Sequence, residues 1–338
     1  MQYVKELDGI RAVAILLVML FHAGSPFAKG GFIGVDVFFL ISGYLITSIL
    51  ISNRQLTQKK HYIEFMANRC IRLLPALIAC ILLYLVLSQF IWTDYQHHIR
   101  DSLLSLLYIT NYTYPAFDAP YFLRHTWSLA LEFQFYLIWP LAVYLLTKRS
   151  TKESILILMI TYSVISILRS QVALDHWENA YFHLETRSSG LILGSIIAFY
   201  MKSYPVPALP AWTSWASIIG LCYISFTTEW GDAQYLTTSL MLGEILGATL
   251  LISSITIKSP NLILSNPTMI YIGKISYGLY LYHYPVMLYL RNHFDWPYTL
   301  ALSLPIAFIA AIISYHTIEK WASNCRKKQM LLPRKTLT

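Results

Sequence analysis

Charge is what these 338 residues have least of. Asp, Glu, Lys and Arg make up 12% of the chain, about half their share in a soluble globular domain, which excludes an ordinary water-soluble enzyme of this length. Cysteines are few. Cys70, Cys80, Cys222 and Cys325 have neither paired nor metal-ligand spacing, so no disulfide and no metal site is expected. The chain also lacks low-complexity tracts, a convincing internal repeat, and any polar connector long enough to fold as a soluble domain. What is there is apolar. Hydrophobic residues form 56% of the sequence and mean hydropathy is +0.52. Runs of about twenty such residues, the length that crosses a hydrocarbon layer, recur from end to end. The 25 Tyr, 16 Phe and 9 Trp suit interfacial belts and a packed bundle. These features predict an all-α, polytopic membrane helical bundle.

The apolar segments lie near 8–23, 33–52, 71–91, 102–112, 127–147, 154–173, 181–201, 211–228, 235–257, 268–290 and 298–318. Lys and Arg concentrate on the cytoplasmic side of membrane proteins. That rule places inside the N-terminus with Lys5 and Arg11, the connector carrying Arg54, Lys59, Lys60, Arg69 and Arg72, the Lys148-Arg149 turn with Lys152, and the tail with Arg326, Lys327 and Lys328. All four assignments agree only if one segment between 92 and 126 fails to cross. Segment 102–112 is short and interrupted by Thr110-Asn111, and reads as re-entrant or interfacial. The expectation is then about ten transmembrane helices with both termini cytoplasmic. An integral membrane domain would cover 1–320 and a basic cytoplasmic tail 321–338. The net charge of +8 belongs to this pattern, contacts membrane lipids, and calls for no nucleic-acid partner. Cleavage of the first segment as a signal peptide is not expected. His22-Ala23-Gly24-Ser25 is a poor cleavage site, and a second apolar span follows at once.

Ionisable residues inside these spans need a reason. Arg11 and His22 share the first one. Eleven residues is almost a whole number of turns, so both side chains point the same way, roughly 16 Å apart at 1.5 Å per residue. Such groups cost several kcal/mol in a bilayer and persist where they face a bundle interior or a watery cavity. The alternative is that each snorkels to its own face. Asp36, one turn into the second span, has two open roles: orienting the His22 imidazole, or pairing with an external arginine such as Arg187. Small residues at Gly31, Gly34 and Gly43 favour close helix approach. Arg69 and Arg72, at i, i+3, present two guanidinium forks on one helical face. They form a plausible clamp for an anionic cofactor, although the positive-inside rule alone also puts arginines here. Ser128 and Glu132 share a face of the entering helix at i, i+4. Glu132 should face protein or water, and Ser128, with no adjacent base in sequence, reads as a helix N-cap. Tyr277, Tyr280 and Tyr284 form a stripe at helical spacing beside Ser276, Tyr280 reading as bundle packing. His283 is a second candidate polar group at the external end.

Together these motifs resemble the membrane-bound acyltransferase-3 family, which includes bacterial surface-polysaccharide O-acetyltransferases. The matching blocks are Leu7-Asp8-Gly9-Ile10-Arg11 with His22, then Gly34-Val35-Asp36-Val37-Phe38-Phe39-Leu40-Ile41-Ser42-Gly43. Arg69-Cys70-Ile71-Arg72 follows, then Trp127-Ser128-Leu129-Ala130-Leu131-Glu132 with Gln134 and Tyr136, and Ser276-Tyr277-Gly278-Leu279-Tyr280-Leu281-Tyr282-His283. They occur in order along essentially the whole chain. The resemblance implies acetyl-CoA as donor, a sugar or polysaccharide hydroxyl as acceptor, and a place in the bacterial inner membrane. A sugar hydroxyl is a poor nucleophile, so a base must take its proton, and His is the default choice. His22 is assigned that role, with Asp36 and Glu132 as further catalytic candidates. Whether His22 also carries the acetyl group covalently is left open. Arg11, Arg69 and Arg72 would bind the donor, and Ser128, Arg187, Ser276, Tyr277 and His283 would line the cavity or meet substrate. Phe133 stands where relatives often have a second glutamate, so that carboxylate's role is lost here. Some relatives carry a C-terminal extracytoplasmic hydrolase-like domain. The chain stops before one, and is expected to do without it or to recruit a partner. Transfer of another acyl group such as succinyl, a non-polysaccharide acceptor, and a flippase or transporter remain alternatives.

Overall fold

The computed structural model describes residues 3–52, 59–91, 95–256 and 261–331, and every regular element among them is helical. Arg54, Thr93 and Asp94 lie outside the described residues, as do the side chains of Lys59, Lys60, Arg326, Lys327 and Lys328. The chain opens with α1 (Lys5–His22), α2 (Ile33–Ser52) and α3 (Lys59–Ile91). Two short helices follow, α4 (Tyr95–Leu106) and α5 (Thr110–Phe117). A 3-10 turn (Arg124–Thr126) then opens α6 (Trp127–Thr147). Next come α7 (Thr151–Asp175), α8 (Trp177–Phe182), α9 (Leu184–Arg187), α10 (Ser189–Ser203) and α11 (Ala211–Thr227). A π turn (Tyr235–Ser239) leads into α12 (Leu240–Thr256), followed by α13 (Pro267–Lys274), α14 (Ser276–Arg291) and α15 (Trp296–Ser314). A second π turn (Tyr315–Glu319) carries the chain into α16 (Lys320–Leu331), so no break in the helix marks residue 320.

This is an all-α polytopic membrane protein. Among the described residues, six helical runs are long and apolar enough to cross a bilayer: α2, α3, α6 with its 3-10 turn, α7, α12 with its π turn, and α15 running into α16. Helix α1 is eighteen residues long but includes Lys5, Glu6, Asp8 and Arg11. Two of the expected spans are not single helices. Segment 181–201 divides among α8, α9 and α10, and segment 268–290 divides at Ile275 into α13 and α14. Segment 102–112 is broken as well, at Leu107–Ile109, where Tyr108 adopts a left-handed φ of 54°. The Gln134 amide donates to the Tyr108 carbonyl at 2.8 Å and so satisfies backbone left open by the break. Neither α4 nor α5 has the length of a span.

Helix α2 is the hub, packed against α1, α6, α10 and α12. Its apolar window is 78% buried against 17% for α7, which puts α2 at the centre and α7 at the rim. The α2–α10 crossing is close because two glycines meet backbone there. A Cβ on Gly43 would lie 2.0 Å from the Leu191 carbonyl oxygen, and one on Gly194 would lie 2.1 Å from that of Leu40. Gly31 and Gly34 face the α1 backbone in the same way.

Candidate active site

The polar residues of the spans gather in three places. The first is a cavity of ≈ 100 Å³ between α1, α2, α3, α6 and α14, room for several waters. Arg11 reaches it from α1, Ser42 from α2, and Arg69 and Arg72 from α3. Helix α6 contributes Ser128, Glu132 and Tyr136, three residues at successive i+4 steps and hence on one stripe. Helix α14 contributes Ser276, Tyr277 and Tyr280. Seven of the sequence-predicted residues are thus brought together. Three guanidinium groups face a single lining carboxylate, Glu132. Asp8, one turn before Arg11, approaches its Nη1 at 3.4 Å and also accepts from the Tyr3 hydroxyl. The Tyr136 hydroxyl lies 2.5 Å from Ser42 Oγ, and Tyr277 donates to the Leu73 carbonyl at 2.7 Å. Phe133 faces elsewhere and stacks on Tyr108 at 4.3 Å.

The second place is a histidine cluster at the far end of α1, beyond the cavity lining. His22 Nδ1 lies 2.8 Å from His283 Nε2. The Tyr284 ring meets His22 edge-on at 4.8 Å, and His125 stacks on Tyr284 at 4.8 Å. His125 and His283 are buried, while His22 keeps part of its surface. Between cavity and cluster runs a short hydrogen-bonded partition. The Tyr280 hydroxyl donates to the His125 carbonyl at 2.6 Å and accepts from Ser128 Oγ at 2.6 Å. Ser128 is therefore not the N-cap that its position suggests. It is the second residue of α6, the cap position belongs to Thr126, and the hydroxyl ties α6 to α14. Tyr280, read from sequence as packing alone, is a hydrogen-bonding member of the cavity wall. His125 precedes the apolar run, so hydropathy does not single it out, although it adjoins the Trp127 motif. Among the described residues, no group of three or more His, Cys, Asp or Glu is arranged to hold a metal ion.

The third place settles the two roles left open for Asp36. Its carboxylate pairs with Arg187, at 2.6 Å from Nη1 and 2.9 Å from Nη2. The Tyr235 hydroxyl, presented by the first π turn, donates to the same carboxylate at 2.6 Å. The guanidinium lies over the Tyr181 ring at 4.6 Å. Asp36 does not orient His22, because its oxygens are taken by these partners and the His22 Nδ1 faces His283. Nor does Arg187 line the cavity, being wholly enclosed in this pair. A second buried set adjoins it. Arg169 donates to Ser189 Oγ at 2.5 Å, Ser189 donates to Glu244 at 2.5 Å, and Tyr162 donates to the other Glu244 oxygen at 2.8 Å. The sequence reading missed Arg169 and Glu244. The signal was present, since each sits inside an apolar run as Arg11 does.

The family described as the acyltransferase domain of the acyltransferase-3 group matches residues 4–316. The O-acetyltransferase OatA of Staphylococcus aureus strain NCTC 8325 is 33% identical over 94% of this chain. The putative O-acetyltransferase SACOL0978 of S. aureus strain COL is 31% identical over the same share. The chain spans 57% of the length of each. No solved structure matches.

Proposed function

The chain belongs to the acyltransferase-3 family, and from that premise we propose that it transfers an acetyl group from acetyl-CoA to a hydroxyl of a cell-surface sugar polymer, within the bacterial inner membrane. The observation that carries this reading is the convergence of Arg11, Arg69 and Arg72 on one cavity with His22 beyond it. Guanidinium forks match phosphate oxygens bidentately, and three of them against the carboxylates of Glu132 and Asp8 leave an excess of positive charge that suits a polyanionic donor. The cavity admits the acyl end of a slender thioester while the phosphates stay at the mouth, where Arg72 is exposed. Both relatives are named as O-acetyltransferases, which favours an acetyl group and a hydroxyl acceptor.

His22 takes the proton of the acceptor hydroxyl as the oxygen attacks the thioester carbonyl. The C–O bond forms, the C–S bond breaks, and the departing thiolate receives the proton that His22 holds. General base assistance of this kind contributes roughly 10²–10⁴-fold. Glu132 balances part of the arginine charge and, with Ser42 and Tyr136, shapes the cavity wall. A cytosolic donor thus serves an external acceptor without CoA crossing the membrane.

The test is purified protein in liposomes, with acetyl-CoA on one side and an oligosaccharide acceptor on the other. Free thiol should appear with acetyl ester on the acceptor, and His22→Ala should abolish both while still inserting. Movement of the oligosaccharide across the bilayer without consumption of acetyl-CoA would replace this reading with a flippase.

A further inference from the structure

The geometry points to His283 as a positioning residue that holds His22 in the tautomer whose Nε2 is bare. This rests on the reading of His22 as the base, and adds what makes that ring a base and not a donor. The assignment follows from the hydrogen-bond inventory. His283 Nδ1 lies 2.9 Å from the carbonyl oxygen of Leu279, one turn earlier on its own helix. A carbonyl only accepts, so Nδ1 carries the hydrogen. In the neutral ring Nε2 then has a lone pair and no hydrogen. His22 Nδ1, 2.8 Å away, must be the donor of that contact, which leaves His22 Nε2 as an acceptor. His283 has no exposed surface, and a buried ring without a carboxylate beside it is favoured neutral. His22 is the ring of the pair with accessible surface.

The surroundings fix the ring as well as the tautomer. Tyr284 abuts the His22 face edge-on, and Arg291 donates to the His22 carbonyl at 3.2 Å, holding the end of α1. When His22 takes up a proton at Nε2, its Nδ1–H goes on donating to the same lone pair of His283. No second proton has to move. A neutral partner differs here from a carboxylate. It orients the base without adding the charge that would stabilise the imidazolium, so its removal should matter less than the about 10⁴-fold loss of a carboxylate orienter in a serine protease.

Three variants test this in the full chain: His283→Leu, His283→Gln and His283→Asn. Gln sets an amide oxygen near the position of Nε2 and can accept from His22, whereas Asn is too short to reach. The expected result is a fall in kcat on the order of 10–100-fold for Leu and Asn, with KM for acetyl-CoA within about twofold of wild type. Gln should recover to within about fivefold. If Leu does not fold, the Gln–Asn contrast carries the same information. Wild-type kcat in Leu or Asn would overturn the inference, as would Gln no better than Asn with donor KM intact. Either result, with His22→Ala inactive, removes His283 alone. Activity surviving in His22→Ala removes the base itself.

Discussion

Burial divides the arginines of the candidate site and its surroundings into two kinds with opposite consequences. Arg187 has no exposed surface and shares the Asp36 carboxylate with Tyr235, whereas Arg72 is exposed at the mouth of the cavity. Removing one member of a buried pair leaves an uncompensated charge, at about 3–5 kcal/mol. Losing a charge-assisted bond to a bound phosphate weakens binding by about 1.5–3 kcal/mol and leaves the apo fold alone. Asp36→Asn should therefore lower the thermal unfolding midpoint strongly, with donor KM unchanged in the folded fraction. Arg72→Ala should raise KM for acetyl-CoA roughly 10–100-fold, with an unfolding midpoint near wild type. Thermal scans in detergent beside steady-state kinetics check both. The reverse assignment of effects would exchange their roles. The sequence exposed these residues because each interrupts an apolar run. The Asp36–Arg187 pairing was one of two legible alternatives, whereas the histidine pairing was not: His22 and His283 are 261 positions apart, and nothing in a single chain's pattern marks which distant ring answers which.

At the scale of elements, apolar runs report where helices are buried and are blind to where they break. The interruption at 102–112 was readable because Thr110 and Asn111 are polar, and both are in fact buried where α5 begins. The division of 268–290 was not, since the residue at the break, Ile275, is apolar and buried, and hydropathy averaged over the run hides it even though the exposed Lys274 and the polar Ser276 flank it. Segment 181–201 resumes as α10 after Ser188, and hydropathy averaged over the run hides the joint even though the charged Glu185 and Arg187 lie beside it. Helix contact, by contrast, was written in the glycines. The α2–α10 crossing places Gly43 against the Leu191 backbone and Gly194 against the backbone of Leu40 and Tyr44, and no side chain there can give way. Gly43→Val should force these helices apart. Expression in the membrane should drop and acetylation with it, because the same helix carries Ser42 on the cavity wall. Normal abundance and activity of Gly43→Val would show that the crossing tolerates a wider spacing.

The whole molecule poses the question of sides. If 92–126 lies wholly outside and the chain beyond Glu319 wholly inside, the arginine mouth opens to the cytosol and the histidine cluster to the exterior. Single cysteines at Asp118 and Ser323, in a background without the native four, decide this with a membrane-impermeant thiol reagent on intact spheroplasts. Position 118 should label at once and position 323 only after the membrane is opened. The opposite pattern would invert the protein, and labelling at both would mean an odd number of crossings.

The unequal burial of Arg187 and Arg72 also gives the protein two responses to salt. Mobile ions screen charges in contact with water over about 8 Å at physiological ionic strength, and they do not enter the packed interior around Asp36. On the proposed function, donor binding at the mouth should weaken as ionic strength rises, while the ion pair that fastens α9 to α2 is insulated from the medium. A cell under osmotic stress would turn down the reaction without loosening the bundle that performs it.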